Sequence, residues 1–371
     1  MKPDLRVTFA GIELRNPVIA ASGTFGNGVE FEDIVSLDRI GGLVTKGLSR
    51  EPMAGNPPPR MIETASGMLN AIGLQNIGVQ AFLEKKLPPL GNYPACAVIA
   101  NVFGYRIEDY VAVVETLNQA DGVAAYEINA SCPNTSHGGQ VFGTDPAQLA
   151  ALVRATKEAA LRRPGSRPVI VKLSPNVTSI AEMASIAEKS GADALSLVNT
   201  FLGLAIDAKT RRPRIANVTA GLSGPAIKPI ALRMVHEASK AVRIPILGMG
   251  GIVTAEDAVE FLLAGATAVQ VGTATYADPR AVERLAKSLE QWCAKHDVEK
   301  VSSLTGALEV APKPAKPNRL EPAPEPAQPT DPLAQPAPQP TPRMPGEALP
   351  AVRQSDDPST RAKVEGPTRI W

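Results

Sequence analysis

The chain has 371 residues, a net charge of +1, 44% hydrophobic residues and 4% aromatic residues. This length accommodates one large domain or two smaller ones, with a sizeable core. Balanced charge gives no electrostatic basis for binding nucleic acid or an anionic membrane, and scarce aromatics argue against a base-stacking surface.

In chain order, the N-terminus shows no apolar run of signal-peptide length, and no later segment reaches the ~20 apolar residues of a spanning helix. Short apolar runs then recur at residues 17–22, 42–46, 97–101, 124–129, 169–174, 194–199, 244–248 and 268–272. Most are continuous rather than alternating, as expected of parallel strands buried on both faces. Helical patterns follow several of them. Residues 145–162 place Leu149, Leu152, Val153 and Ala160 on one face. Residues 179–190 and 255–264 behave likewise, entered by a capping Thr178 or Ser179 and by Thr254. Eight strands with intervening helices predict an α/β fold, a (β/α)8 TIM barrel. A doubly wound open sheet fits less well, because no Gly-x-Gly-x-x-Gly closes the first strand. The long connection at 49–94, which contains three consecutive prolines from Pro57 to Pro59, is expected as an elaborated loop region over the C-terminal face.

Composition changes near residue 311, since 16 of the 35 prolines lie in 311–371. Proline removes backbone donors, and the few apolar side chains there cannot offset chain entropy. Two regions are therefore expected: a barrel domain over 1–310 and a disordered, proline-rich tail over 311–371.

Chemistry in such a barrel sits at the C-terminal strand ends. Polar and glycine residues recur there: Ser22, Thr45-Lys46-Gly47, Asn101, Asn129, Lys172 with Ser174, Asn199-Thr200, Gly250-Gly251 and Gly272-Thr273. So many polar strand ends call for a polar ligand to satisfy them. Glycines after the seventh and eighth strands suit a phosphate. Lys46 and Lys172 bring two cations to the mouth, although Lys172 also suits Schiff-base chemistry. Cys96, Cys132 and Cys293 form neither a disulfide framework nor a metal-ligand spacing, which fits a reducing cytosol and a cytoplasmic protein. Cys132 is the candidate base or nucleophile, lying in a glycine- and asparagine-rich loop after the fourth strand. His137 in that loop either orients it or merely meets solvent.

The runs NPVIAASGT (16–24), TKG (45–47), NAIGLQN (70–76), ANV (100–102), EINASCPN (127–134), VKLSP (171–175), NT (199–200), GLSGP (221–225), GMGG (248–251) and VGT (271–273) together resemble the dihydroorotate dehydrogenases. Cysteine at 132 and the sequence around 21–26 and 70–76 resemble class 1B, the catalytic subunit of the NAD-linked form. Ile77 stands where the family commonly has Pro. The resemblance implies FMN held by Ser22, Lys46, Gly47, Asn101, Asn129, Lys172, Val198, Gly224, Gly250, Gly251, Gly272 and Thr273. It implies dihydroorotate or orotate bound by Lys46, Asn70, Ala71, Ile72, Gly73, Leu74, Asn129, Asn134, Asn199 and Thr200, with Cys132 as the catalytic base. It further implies a homodimer joined to an FAD/[2Fe-2S] subunit in a heterotetramer, since this chain carries no FAD, NAD or iron–sulfur fingerprint. A fumarate-linked class 1A enzyme, a Lys172-dependent lyase or isomerase, and a non-catalytic scaffold are the other readings.

Overall fold

A computed structural model describes residues 2–130 and 142–310. Expectations for Cys132, Asn134 and His137, and for the tail from 311 onward, fall outside the described residues. By internal contacts the chain divides into Met1–Glu309 and Val310–Trp371, and the architecture below is that of the first unit.

Eight parallel strands close into a barrel. They are β1 (Val18–Ala20), β2 (Gly42–Val44), β3 (Ala97–Val102), β4 (Ala125–Asn129), β5 (Val169–Lys172), β6 (Ala194–Leu197), β7 (Ile246–Met249) and β8 (Ala268–Val271). Each pairs with its neighbours in sequence, and β8 closes on β1 through Val269 opposite Val18. All eight predicted strands form, one or two residues shorter or longer at their ends. Nearly every residue in them is buried, because one face meets the barrel interior and the other meets a helix. A branched aliphatic side chain buried in this way contributes roughly 1.5–3 kcal/mol.

Helices Ile107–Asn118, Pro146–Leu161, Ile180–Lys189, Lys228–Ala241, Ala255–Leu263 and Ala281–Lys295 follow β3 to β8. Pro146–Leu161 buries Leu149, Leu152, Val153 and Ala160, as its periodicity requires. Its start is fixed by Asp145, which accepts from Gln148 N at 2.8 Å. Ser179 rather than Thr178 caps the next helix, accepting from Glu182 N at 3.2 Å. Thr254 and Asp257 cap each other's backbone, at 3.2 and 2.8 Å. Two 3-10 turns, Val29–Phe31 and Leu37–Arg39, replace a helix after β1.

The connection at 49–94 is more ordered than a loop region. Met61–Thr64 and Gly67–Asn70 form a hairpin, and it joins Thr219–Ser223 and Phe201–Leu204 in a four-stranded antiparallel sheet. The sheet therefore unites the connections that follow β2 and β6. Leu69, Ala71, Ile215 and Ala220 give it a small core of its own.

Candidate active site

Ser22, just past β1, donates to Thr45 O at 2.7 Å. Thr45 Oγ1 in turn accepts from Asn101 N at 3.1 Å. These bonds tie together the C-terminal ends of the first three strands. Lys46 is anchored through its backbone N–H on Gly26 O at 2.7 Å, and its ammonium lies 4.0 Å from the place a Cβ on Gly23 would occupy. Burial lowers the Lys46 pKa, and the nearby Arg60 guanidinium lowers it further.

Across the mouth, Asn129 ends β4 with its carbonyl held by the Tyr110 hydroxyl at 2.9 Å. Asn199 donates to Asn129 Oδ1 at 3.3 Å and accepts from Thr200 N at 2.9 Å. Thr200 presses against Gly221: a Cβ there would stand 2.2 Å from Thr200 Oγ1. Asn70 reaches Gly221 O at 3.5 Å. The loop from Asn70 to Leu74 is thus brought beside Asn199 and Thr200 by the antiparallel sheet. It is held in shape from behind. Asn56 bonds Ile72 O through its N–H at 2.9 Å and Ala71 O through its amide at 3.0 Å. Asn76 donates to Leu74 O at 2.8 Å, and Arg60 donates to Gln75 Oε1 at 2.6 Å. Leu74 reaches within 3.7 Å of the Cβ position on Gly47.

A second cluster forms where β7, β8 and the sheet meet. Gly224 has φ +95 and Gly251 φ +75, backbone regions that favour glycine. A Cβ on Gly251 would stand 2.8 Å from Gly224 O, and one on Gly224 would stand 3.4 Å from Thr273 Cγ2. Thr273 donates to Ser223 Oγ at 2.8 Å. Gly250, Gly251, Gly272, Thr273 and Gly224 therefore converge as a cradle of small residues, with the short helix Ala274–Ala277 directly after it. Val198 lies between the two clusters, its N–H on Met249 O at 3.2 Å.

Beneath both clusters is a buried polar group centred on Glu127. Its carboxylate is 0% exposed, and Oε1 lies 3.5 Å from Lys172 Nζ, whose side chain is 7% exposed. Asn101 Nδ2 donates to Oε1 at 2.7 Å, and Gln270 Nε2 donates to Oε2 at 2.7 Å. Asn101 Oδ1, Ser196 Oγ and Gln270 Oε1 are buried without a partner among the described residues. Orphaned acceptors beneath a mouth that also carries a glycine cradle fit a ligand with a ring N–H and a phosphate. Glu127, Gln270, Ser196, Asn56 and Arg60 belong to this site in the structure without being among the residues expected from the sequence. For Glu127 the available signal was a charged residue inside an apolar strand.

Fold and site together define a (β/α)8 barrel with a glycine cradle and a cationic, amide-rich mouth. The family model for dihydroorotate dehydrogenase matches residues 4–292. A Solibacter usitatus protein, named provisionally as dihydroorotate dehydrogenase A (fumarate), is 59% identical over 309 residues, covering 83% of this chain and 100% of the relative. Catalytic subunits named dihydroorotate dehydrogenase B (NAD(+)) from Geobacter sp. strain M21 and Geobacter sulfurreducens are 56% and 57% identical, covering 83% of this chain and 99% of each relative. The chain belongs to the dihydroorotate dehydrogenase family. No helix among the described residues is long and apolar enough to cross a membrane.

Proposed function

We propose that this chain is an FMN-dependent enzyme that oxidises (S)-dihydroorotate to orotate in pyrimidine synthesis. The observation carrying the reading is the juxtaposition of two half-sites on one barrel mouth. Lys46, the 70–74 loop, Asn129, Asn199 and Thr200 form one. The cradle at 224, 250–251 and 272–273 forms the other, and in this reading Ser22, Gly47, Asn101 and Lys172 at neighbouring strand ends complete it. When bound, FMN supplies the two-electron acceptor for the hydride that leaves C6 of the substrate.

The chain's residues do the rest. Lys46 pairs with the substrate carboxylate in a partly desolvated position, where such a contact is strengthened. Asparagine amides both donate and accept, which suits the imide groups of the pyrimidine ring. Cys132, as thiolate, removes the proton from C5; a free thiol has a pKa near ~8.5, so turnover rises with pH toward the alkaline range.

In this reading the acceptor would be NAD, reached through a separate subunit carrying FAD and a [2Fe-2S] cluster, on a catalytic homodimer within a heterotetramer. Relatives named as catalytic subunits of the NAD form support this. The fumarate-linked alternative is supported by the name of the Solibacter relative. Purified protein should be yellow, and anaerobic dihydroorotate should bleach it. A colourless protein overturns the reading. Reoxidation by fumarate without any partner would assign the alternative. We take 1–310 as the catalytic domain, so truncation after residue 310 should leave flavin reduction unchanged.

A further inference from the structure

We infer that Glu127 is a positioning residue for the flavin ring, acting by fixing which way the Asn101 amide faces. The inference rests on the FMN reading above and adds a residue that makes no ligand contact itself. An ionised carboxylate only accepts hydrogen bonds. Both amides that meet Glu127 must therefore present their NH2 groups to it, Asn101 at Oε1 and Gln270 at Oε2, each at 2.7 Å. Their carbonyl oxygens are turned the other way. Asn101 is 1% exposed, and its Oδ1 has no partner among the described residues. That oxygen lies 3.0 Å from the place a Cβ on Gly47 would occupy, so it faces the open side of a glycine at the mouth.

A buried acceptor with no donor is unfavourable, and it calls for an N–H from a ligand. Oxidised flavin carries a single ring N–H, on the imide N3. An asparagine alone can offer either end of its amide to that position. Glu127 removes the choice, making Asn101 a fixed acceptor. Lys172 Nζ also donates to the same Oε1, at 3.5 Å, so three donors converge on the carboxylate and it meets them only as an acceptor.

The test compares Glu127→Gln, Asn101→Asp and the double variant N101D/E127Q in the full chain. Flavin-stripped protein is titrated with FMN and with 3-methyl-FMN, which lacks the N3 hydrogen. In the double variant the new amide at position 127 donates to the new carboxylate at position 101 and still accepts from Gln270. The buried charge is conserved, and the second carboxylate oxygen at position 101 remains an acceptor at Gly47. Wild type should prefer FMN over 3-methyl-FMN by roughly tenfold, the scale of one buried hydrogen bond. Glu127→Gln should lose most of that preference, Asn101→Asp should bind FMN weakly because two carboxylates then meet where the amide now donates at 2.7 Å, and the double variant should recover both affinity and preference. If Glu127→Gln does not fold, because Lys172 is left without its carboxylate, the Asn101→Asp and double-variant comparison still decides the matter. A folded Glu127→Gln with wild-type preference, or a double variant no better than Asn101→Asp, overturns the inference. Wild-type protein that takes up no FMN overturns the functional reading, and this inference with it.

Discussion

Replacing Lys172 with Met removes the cation from a buried pair while keeping most of the side chain's volume. At 3.5 Å, and with an effective dielectric of about 20, the attraction between the two charges is about 5 kcal/mol. Removing one member of a buried pair costs roughly 3–5 kcal/mol by general experience, because the other charge stays buried. The two figures agree, and against a typical domain stability of about 5–15 kcal/mol the loss is large. Equilibrium urea unfolding of flavin-stripped protein is the assay, so that bound ligand does not contribute by mass action. Lys172→Met should lose about 3–5 kcal/mol. K172M/E127Q should be more stable than Lys172→Met, since the stranded charge is gone while the amide oxygen still accepts from one of its two neighbours. A loss below about 1 kcal/mol for Lys172→Met, the scale of an exposed pair, or a double variant whose loss equals the sum of the two single losses, would refute the pairing argument.

Lys46→Met should raise the KM for dihydroorotate at least about 30-fold, from roughly 2 kcal/mol for a partly buried charge contact. Because burial and Arg60 lower the Lys46 pKa, its charge is lost as pH rises through a value below that of free lysine. Substrate affinity should accordingly fall at lower pH than an exposed lysine would give, and a pH profile of kcat/KM checks this. Cys132→Ser should slow flavin reduction by about 100-fold or more near neutral pH, the scale of general-base catalysis, as read by stopped-flow absorbance. Gly251→Ala combines a φ of +75 with a Cβ 2.8 Å from Gly224 O, so the protein should purify with sub-stoichiometric flavin. Burial pushes the Cys96 thiol up to about 12 and raises that of Cys293 as well. A thiol reagent at pH 8 should therefore leave both unmodified until urea is added.

The barrel was legible because most of its strands are nearly continuous apolar runs buried on two faces, a pattern that needs no knowledge of partners. The antiparallel sheet was not. Its strands are short and half-exposed, and glycines interrupt them at Gly67, Gly203 and Gly221. Their pairing joins segments on opposite sides of the sequence, such as Asn70 with Gly221. Nothing local marks such a strand. The glycine cradle and the asparagines were visible as polar punctuation at strand ends, while Asn56 and Arg60 looked like ordinary loop residues. Their importance lies in holding the backbone of 71–75, which only the folded connection shows.

Lys172 shows how a residue can be visible in the sequence and incompletely understood. From sequence, Lys46 and Lys172 stand as two cations in one mouth, both available to anionic ligands. The fold sends Lys172 inward to Glu127, and Glu127 cannot be matched to it from spacing, because the contact depends on the parallel register that sets Asn129 opposite Lys172. The pair is close to neutral as a unit. Lys46 has no carboxylate within ion-pair distance among the described residues, and Arg60 adds to the positive field there rather than cancelling it. The uncompensated charge of the mouth therefore lies on the side of the 70–74 loop, where a carboxylate substrate gains most from it. On the Glu127 side, Asn101 and Gln270 donate to the carboxylate and leave their amide oxygens unpartnered among the described residues, so that side offers acceptors instead. A single net positive mouth thus separates into a charged half and a hydrogen-bonding half, the division that the proposed pairing of an anionic substrate with an oxidised, uncharged flavin requires.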